Sequence, residues 1–181
     1  NYDVIVVDDC AHSYFTFMNG GLLGVEHAIF SLHKMFPVNY GGLLLSKINS
    51  ISRKNQYQDF LSYNIDDIKR KRARNYNCIL DILLQYSETK NLTIVHEELG
   101  RNIPQTFPLL LDNSMVRDNV YFRMNECGYG VVSLYHELIS DLKKTFIVEN
   151  DLSDRIINLP LHQDVAVDTI DKMVHKLIEI I

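Results

Sequence analysis

Apolar and polar positions come in blocks along this chain, and the blocks predict its elements. Val4 to Val7 (VIVV) is a continuous apolar run and reads as a central parallel strand, buried on both faces. His27 to Leu32 (HAIFSL) and Gly42 to Leu45 (GLLL) read as two more short buried strands. From Ser46 to Tyr63 the chain turns polar, rich in Ser, Asn and Gln, and reads as a connecting segment with room for one short helix. Asp66 and Asp67 then open a long helix to about Tyr86: acids suit its N-terminal dipole, and Tyr76, Ile79, Leu80, Leu83 and Leu84 recur at helical spacing.

Beyond the helix, Leu92 to Val95 and Phe107 to Leu111 predict strands separated by a polar loop with Gly100 and Pro104. Asn113 or Ser114 can cap a helix striped by Val116, Val120 and Met124, and Gly128 ends it. Val131 to Tyr135 and Ile156 to Leu159 predict further strands, the second closed by Pro160. In the last helix Val167, Ile170, Met173, Val174, Leu177, Ile178 and Ile181 share one face, with Asp168 as its cap. The fold class is therefore α/β: a parallel-sheet edge over 1–65, a connecting helix over 66–90, and a small α+β layer over 91–181.

Composition narrows the function classes. A chain of 181 residues with 46% hydrophobic content can bury a sizeable core. A net charge of −5 argues against a general nucleic-acid binder, and no apolar run approaches the length of a membrane-spanning helix. Cys10, Cys78 and Cys127 form no CxxC pair, which speaks against disulfide scaffolding and structural zinc, and reduced thiols in the cytoplasm are the simple account. The seven histidines show no HxxxH or HExxH spacing, so no metal site is read from them. Lys69, Arg70, Lys71, Arg72 and Arg74 form a charge run at a helix start, which reads as a solvated face in preference to a phosphate patch.

Two features carry candidate chemistry. Lys34 lies in the connection between two buried strands, beside a low-dielectric core where its ammonium is disfavoured and its neutral amine can act as nucleophile or base. Gly41 and Gly42 follow, suited to positive φ or to close approach of another group. The bland alternative is a solvated loop lysine before a glycine turn. The other feature is the acid pair Asp8 and Asp9 at the end of the VIVV run, where ligands of open α/β sheets gather. Paired acids there also suit a magnesium-binding receiver domain phosphorylated on aspartate, but the Leu43 to Leu45 strand ends in Ser46-Lys47-Ile48-Asn49 without an acid, and Lys34 comes too early for that pattern.

Taken in order, Asp9-Cys10-Ala11-His12, Gly24, Phe30-Ser31-Leu32-His33-Lys34 and Gly41-Gly42 resemble the DegT/DnrJ/EryC1/StrS family, the pyridoxal-phosphate-dependent sugar aminotransferases of fold type I. The resemblance continues through Arg70 to Asn75 (RKRARN), Phe107-Pro108-Leu109, Arg117-Asp118, Gly128, Ser133-Leu134-Tyr135-His136 and Asn158-Leu159-Pro160-Leu161-His162. It spans nearly the whole chain but only the later half of the family pattern: the C-terminal part of the large-domain sheet, the connecting helix and the small domain.

The resemblance implies a transaminase that uses pyridoxal phosphate (PLP), with a nucleotide-linked keto-sugar and an amino-acid donor such as glutamate as substrates, and a homodimer. It implies Lys34 as the Schiff-base lysine and proton carrier, Asp9 as the carboxylate that keeps the pyridine nitrogen protonated, Ser31 as a phosphate ligand, and His12 as a hydrogen-bond partner near the phenolic oxygen. Ser31 lies three residues before Lys34 where five is commoner, and His33 stands where shorter versions carry arginine. The chain alone is expected to be inactive and to bind PLP weakly or not at all. The non-enzyme alternative is an aminotransferase-like fragment kept as an interaction module.

Overall fold

The structure is a computed structural model that describes residues 4–21, 24, 26–46 and 62–181. Most of the polar connecting segment, 47–61, lies outside the described residues. The chain divides into two compact units, Asn1–Arg70 with Leu99–Pro104, and Lys71–Glu98 with Gln105–Ile181.

The first unit is built on a sheet of β1 (Asp8–Asp9), β2 (His27–Ser31) and β3 (Gly42–Ser46), in that order, with helices α1 (Tyr14–Met18) and α2 (Leu32–Met35). β1 pairs with β2 in parallel, Asp8 opposite Ala28 and Asp9 opposite Ile29, whereas β3 returns antiparallel with Gly42 opposite Ser31. β2 shows the period of two that one buried face requires: Ala28 and Phe30 are buried, while Ile29 between them is 46% exposed. Leu44, opposite Ile29 and so on the same outer face, is 51% exposed.

Beneath the inner face Tyr14, Phe15, Phe30 and Phe36 pack edge to face, with Tyr14 5.6 Å from Phe30 and Phe15 5.3 Å from Phe36 between ring centres. Thr16 ties this core to a distant segment, because its hydroxyl accepts from the Ile103 amide at 3.0 Å and donates to the Ile103 carbonyl at 3.3 Å.

Val4 to Val7 is not the strand that its apolar run predicts. Pairing begins only at Asp8, and Ile5 is 78% exposed. An apolar run becomes a strand only where a neighbouring backbone offers hydrogen bonds. Extending the parallel register backwards sets Val4 opposite Gly24, which sits at φ 96, and Val6 opposite the bend at Glu26. Neither position continues β2.

α3 (Ile65–Leu84) opens with the Asn64 side chain accepting from the Asp67 amide at 3.0 Å, two residues before the acids that predicted it. The second unit carries an antiparallel sheet of β4 (Leu92–Ile94), β5 (Thr106–Leu111) and β6 (Ile156–Pro160), in that order. Pro108 is tolerated inside β5 because β4 pairs only with residues 109–111, so the missing N–H falls beyond its reach. α4 (Ser114–Glu126) is capped by Asn113, whose side chain accepts from the Val116 amide, and Gly128 follows it at φ 81, the left-handed position that glycine occupies without cost. α5 (Ser140–Lys143), α6 (Ile147–Arg155) and α7 (Val167–Ile180) complete the unit. On α7, Ile170, Met173, Val174, Leu177 and Ile178 are buried, as the stripe predicts.

Three expectations are corrected here. Val131 to Tyr135 is not a strand: only Val132 pairs, through two bonds with Asn158, and Tyr135 then turns to φ 58. α7 is not capped by Asp168; Ala166 precedes the helix, and Asp168 lies in the first turn, where its charge meets the helix dipole. The basic run on α3 is not simply a solvated face. Arg72 is buried and its Nε donates to Gln163 Oε1 at 2.9 Å, its pKa pushed down to about 10 by burial. Asn75 is fully buried and its amide donates to the carbonyls of Leu161, His162 and Val165. These bonds satisfy an irregular backbone stretch that no strand or helix could.

Candidate active site

The parallel pairing of β1 with β2 brings the carboxyl ends of both strands to one sheet edge, where open α/β sheets collect their chemistry. The ladder runs on past the named strands: the Cys10 amide donates to Ile29 at 2.9 Å and the Ser31 amide to Ala11 at 3.4 Å. The residues following β1 and those following β2 are therefore held side by side. Asp9, His12, Ser31 and Lys34 all come from these two strand ends.

Asp9 closes β1 with an exposed side chain, and its Oδ1 accepts from the Ala11 amide at 3.0 Å, a turn that fixes the carboxylate at the strand end. His12 follows on the turn and is exposed. Ser31 is the residue before α2, and its hydroxyl does not cap that helix. Lys34 stands in the single turn of α2, which buries Leu32 and Met35 and leaves His33 and Lys34 exposed. Its Nζ lies 3.1 Å from Nε2 of His12. The two residues are 22 apart in sequence, and the strand register brings them together.

Gly41 has a positional reason. It sits at φ 128, which a side chain would strain, while its carbonyl accepts from the Leu32 amide at 3.0 Å and so secures the start of the lysine's helical turn. Cys10, between the acid pair and His12, is buried, and burial first, then the charges of Asp8 and Asp9, push its thiol up. A thiol so held stays protonated and is no nucleophile at neutral pH. Among the described residues there is no group of His, Cys, Asp and Glu that could hold a metal ion.

The donor set fits pyridoxal phosphate. An amine for an aldehyde carbon, a carboxylate for a pyridine nitrogen and an imidazole for a phenolic oxygen issue from one sheet edge. The arrangement also suits proton transfer at the lysine, since an imidazole stands at hydrogen-bond distance from it.

Two sequence landmarks of the second unit also converge. Arg117 is buried on α4, and its Nη1 donates to Ser133 Oγ at 2.7 Å, while Ser133 donates to the Ile156 carbonyl. They border a cleft of about 500 Å³ that Tyr121, Phe122 and His136 also line. Nothing in their sequence spacing predicts this contact.

The strand order and parallel register belong to part of the α/β fold of fold type I aminotransferases. Solved structures of DegT/DnrJ/EryC1/StrS aminotransferases and related enzymes share it. The chain superposes on a DegT/DnrJ/EryC1/StrS aminotransferase from Brucella abortus with a TM-score of 0.69 at 15% identity, covering 96% of this chain and 56% of that one. For the aminotransferase from Psychrobacter cryohalolentis the TM-score is 0.68 at 14% identity, with 98% and 61% covered. Spr1654 of Streptococcus pneumoniae, assigned as a sugar aminotransferase and solved in its PLP form, gives 0.64 at 11% identity, with 97% and 57% covered. The chain thus spans 56–61% of the length of these structures. No family model matches the sequence, and no curated protein matches it. Among the described residues no helix is long and apolar enough to cross a membrane.

Proposed function

We propose that this chain is the site-bearing part of a pyridoxal-phosphate-dependent aminotransferase that moves an amino group from an amino-acid donor to a keto-sugar, nucleotide-linked in the family it resembles. The observation that carries the reading is the approach of Lys34 to His12 at 3.1 Å, on the sheet edge where Asp9 is fixed. Similarity in fold to a protein solved in its PLP form supports it. Homodimerisation, cytoplasmic location and the keto-sugar belong to the same proposal and rest on the resemblance. The activity is that of the whole protein, of which this chain carries Lys34 and Asp9.

Lys34 would hold the cofactor through its amine, and Asp9 would hold a proton on the pyridine nitrogen through a charge-assisted hydrogen bond. The bound cofactor supplies an electron sink for the substrate carbon. Lys34 would move the proton at that carbon, Ser31 would bind the phosphate, and His12 would hydrogen-bond near the phenolic oxygen. The test is borohydride reduction of the PLP-treated protein followed by peptide mapping. Label on Lys34 is expected, and label on Lys143 or Lys176 with none on Lys34 overturns the reading. In the active protein Asp9→Asn should cost about 100-fold or more in kcat, and Asp8→Asn far less, because an amide cannot hold the pyridinium charge. Equal losses would mean that the two acids act as a pair.

A further inference from the structure

We infer that His12 is the general base and acid for condensation at Lys34: it takes the proton that the lysine nitrogen must shed and returns it to the departing oxygen. This deepens the reading of Lys34 given above, and the chemistry follows from one contact. A lysine ammonium has only hydrogens to offer. With Lys34 charged, the 3.1 Å contact therefore requires Nε2 of His12 to be the lone-pair partner, with the imidazole proton on Nδ1. The same nitrogen is then in place for each proton transfer that follows.

When the neutral amine attacks an aldehyde, a C–N bond forms and the carbonyl π pair moves to oxygen. Nitrogen is left positive, with one proton too many. That proton passes along the existing hydrogen bond: the N–H bond at Nζ breaks, its pair returns to nitrogen, and Nε2 of His12 is protonated. The imidazolium then gives this proton to the alkoxide, and the second nitrogen proton follows the same path through Nε2 to the hydroxyl, so that the C–O bond breaks, water leaves, and the nitrogen pair closes the C=N bond. His12 ends as it began, and no outside acid or base is consumed.

The surroundings suit the role. Asp8 and Asp9 lie on β1, the strand that leads into the His12 turn. Among the described residues close to the pair in sequence, Cys10, Tyr14 on α1 and His33 on α2 are also titratable. Burial holds the Cys10 thiol and the Tyr14 phenol in their protonated forms at neutral pH, and so neither competes for the proton. His33 adjoins Lys34 on the same turn, but the imidazole within 3.1 Å of the amine is that of His12.

The experiment needs no cofactor. The full chain is treated with formaldehyde and enough cyanoborohydride that the rate no longer depends on it, and methylation of Lys34 is followed by peptide mass mapping, with exposed Lys143 as internal reference. Wild type is compared with His12→Phe, which removes the acceptor, and His12→Gln, which keeps an acceptor oxygen but cannot take the proton. Lys34 methylation relative to Lys143 should fall about 10- to 100-fold in both variants, and added imidazole should restore part of it. Full rate in His12→Gln would overturn the proposal, because the contact would then only orient the lysine; so would equal rates in all three proteins. A parallel arm with PLP and borohydride separates the two readings. PLP on another lysine, alongside methylation of Lys34 that depends on His12, refutes the assigned function while supporting the base.

Discussion

The two units put the same kind of material to different use. The second packs its sheet into a core, although Met115, Ile139 and Ile147 outside it stay exposed: its β5 and β6 carry Phe107, Leu109, Leu111, Ile157 and Leu159 at 0% exposure, and a polar stretch is tied down by Arg72 and Asn75. The first closes only one face of its sheet. Ile29 and Leu44 stand on the other face, and Val4 to Val7 ahead of β1 are exposed, yet this unit holds Asp9, His12 and Lys34. The difference teaches that the candidate site lies where pairing among the described residues is thinnest, on a strand of two residues, while the fully buried core strands belong to the other unit.

Substitutions can break that comparison, and the largest effect should come from the sheet of the second unit. Phe107→Ala removes a fully buried ring packed 4.5 Å from Tyr76 and should cost about 3–5 kcal/mol in urea unfolding, with hydrogen exchange rising first in the β5 and β6 peptides. Arg72→Ala should follow at about 2–4 kcal/mol, because it opens a void and strips Gln163 of its donor. Arg72→Met fills the void without restoring the bond, so the gap between the two variants measures the void, and the gap between Arg72→Met and wild type the lost hydrogen bond and charge. Asn113→Ala removes the cap of α4 and should cost about 1 kcal/mol by the same assay.

His162 gives a pH-dependent version. Burial, and then the charge of Arg72, hold its pKa below the ordinary histidine value despite Asp164. The unfolded chain takes the proton first as pH falls, so the contribution of His162 is fully present above its unfolded pKa of about 6.5 and is lost as pH drops from there through the folded value. The urea midpoint should therefore fall less in His162→Gln than in wild type between pH 7.5 and 5.5. The smallest stability effect should be Ile29→Ser with Leu44→Ser, within about 0.5 kcal/mol of wild type, and it should be accompanied by less self-association in sedimentation. If that pair costs as much as Phe107→Ala, the outer face is buried in solution and the contrast between the units fails.

Periodicity made the long elements legible. α3, α7 and β2, β3, β5 and β6 lie where apolar spacing puts them, because each carries a face that must be buried whatever its partner. Val4 to Val7 and Val131 to Tyr135 misled for a common reason: apolar or β-branched composition reports what a segment would bury, while a strand also needs a neighbour in register. α6 was invisible because IVENDLSDR carries no stripe and buries only Ser153. Lys34 and the acid pair stood out from their places at strand ends, and Ser31 and His12 only through the family resemblance; the 3.1 Å contact was legible from neither, since it depends on Asp8 pairing with Ala28. Arg72 looked like a solvated charge because its partner, Gln163, lies 91 residues away.

The bond between Thr16 and Ile103 bears on the order in which the protein is made. Ile103 belongs to the buried cluster under the first sheet, 87 residues after the threonine that holds it. A ribosome delivers Phe15, Phe30 and Phe36 early, yet the cluster stays incomplete until α3 and β4 have also been synthesised. The unit that carries Lys34 must therefore wait half-closed, with its aromatic side chains within reach of other nascent chains or of a chaperone. A ribosome stalled before residue 103 should display protease-sensitive bonds between α1 and β3, and one stalled after Pro104 has emerged should not.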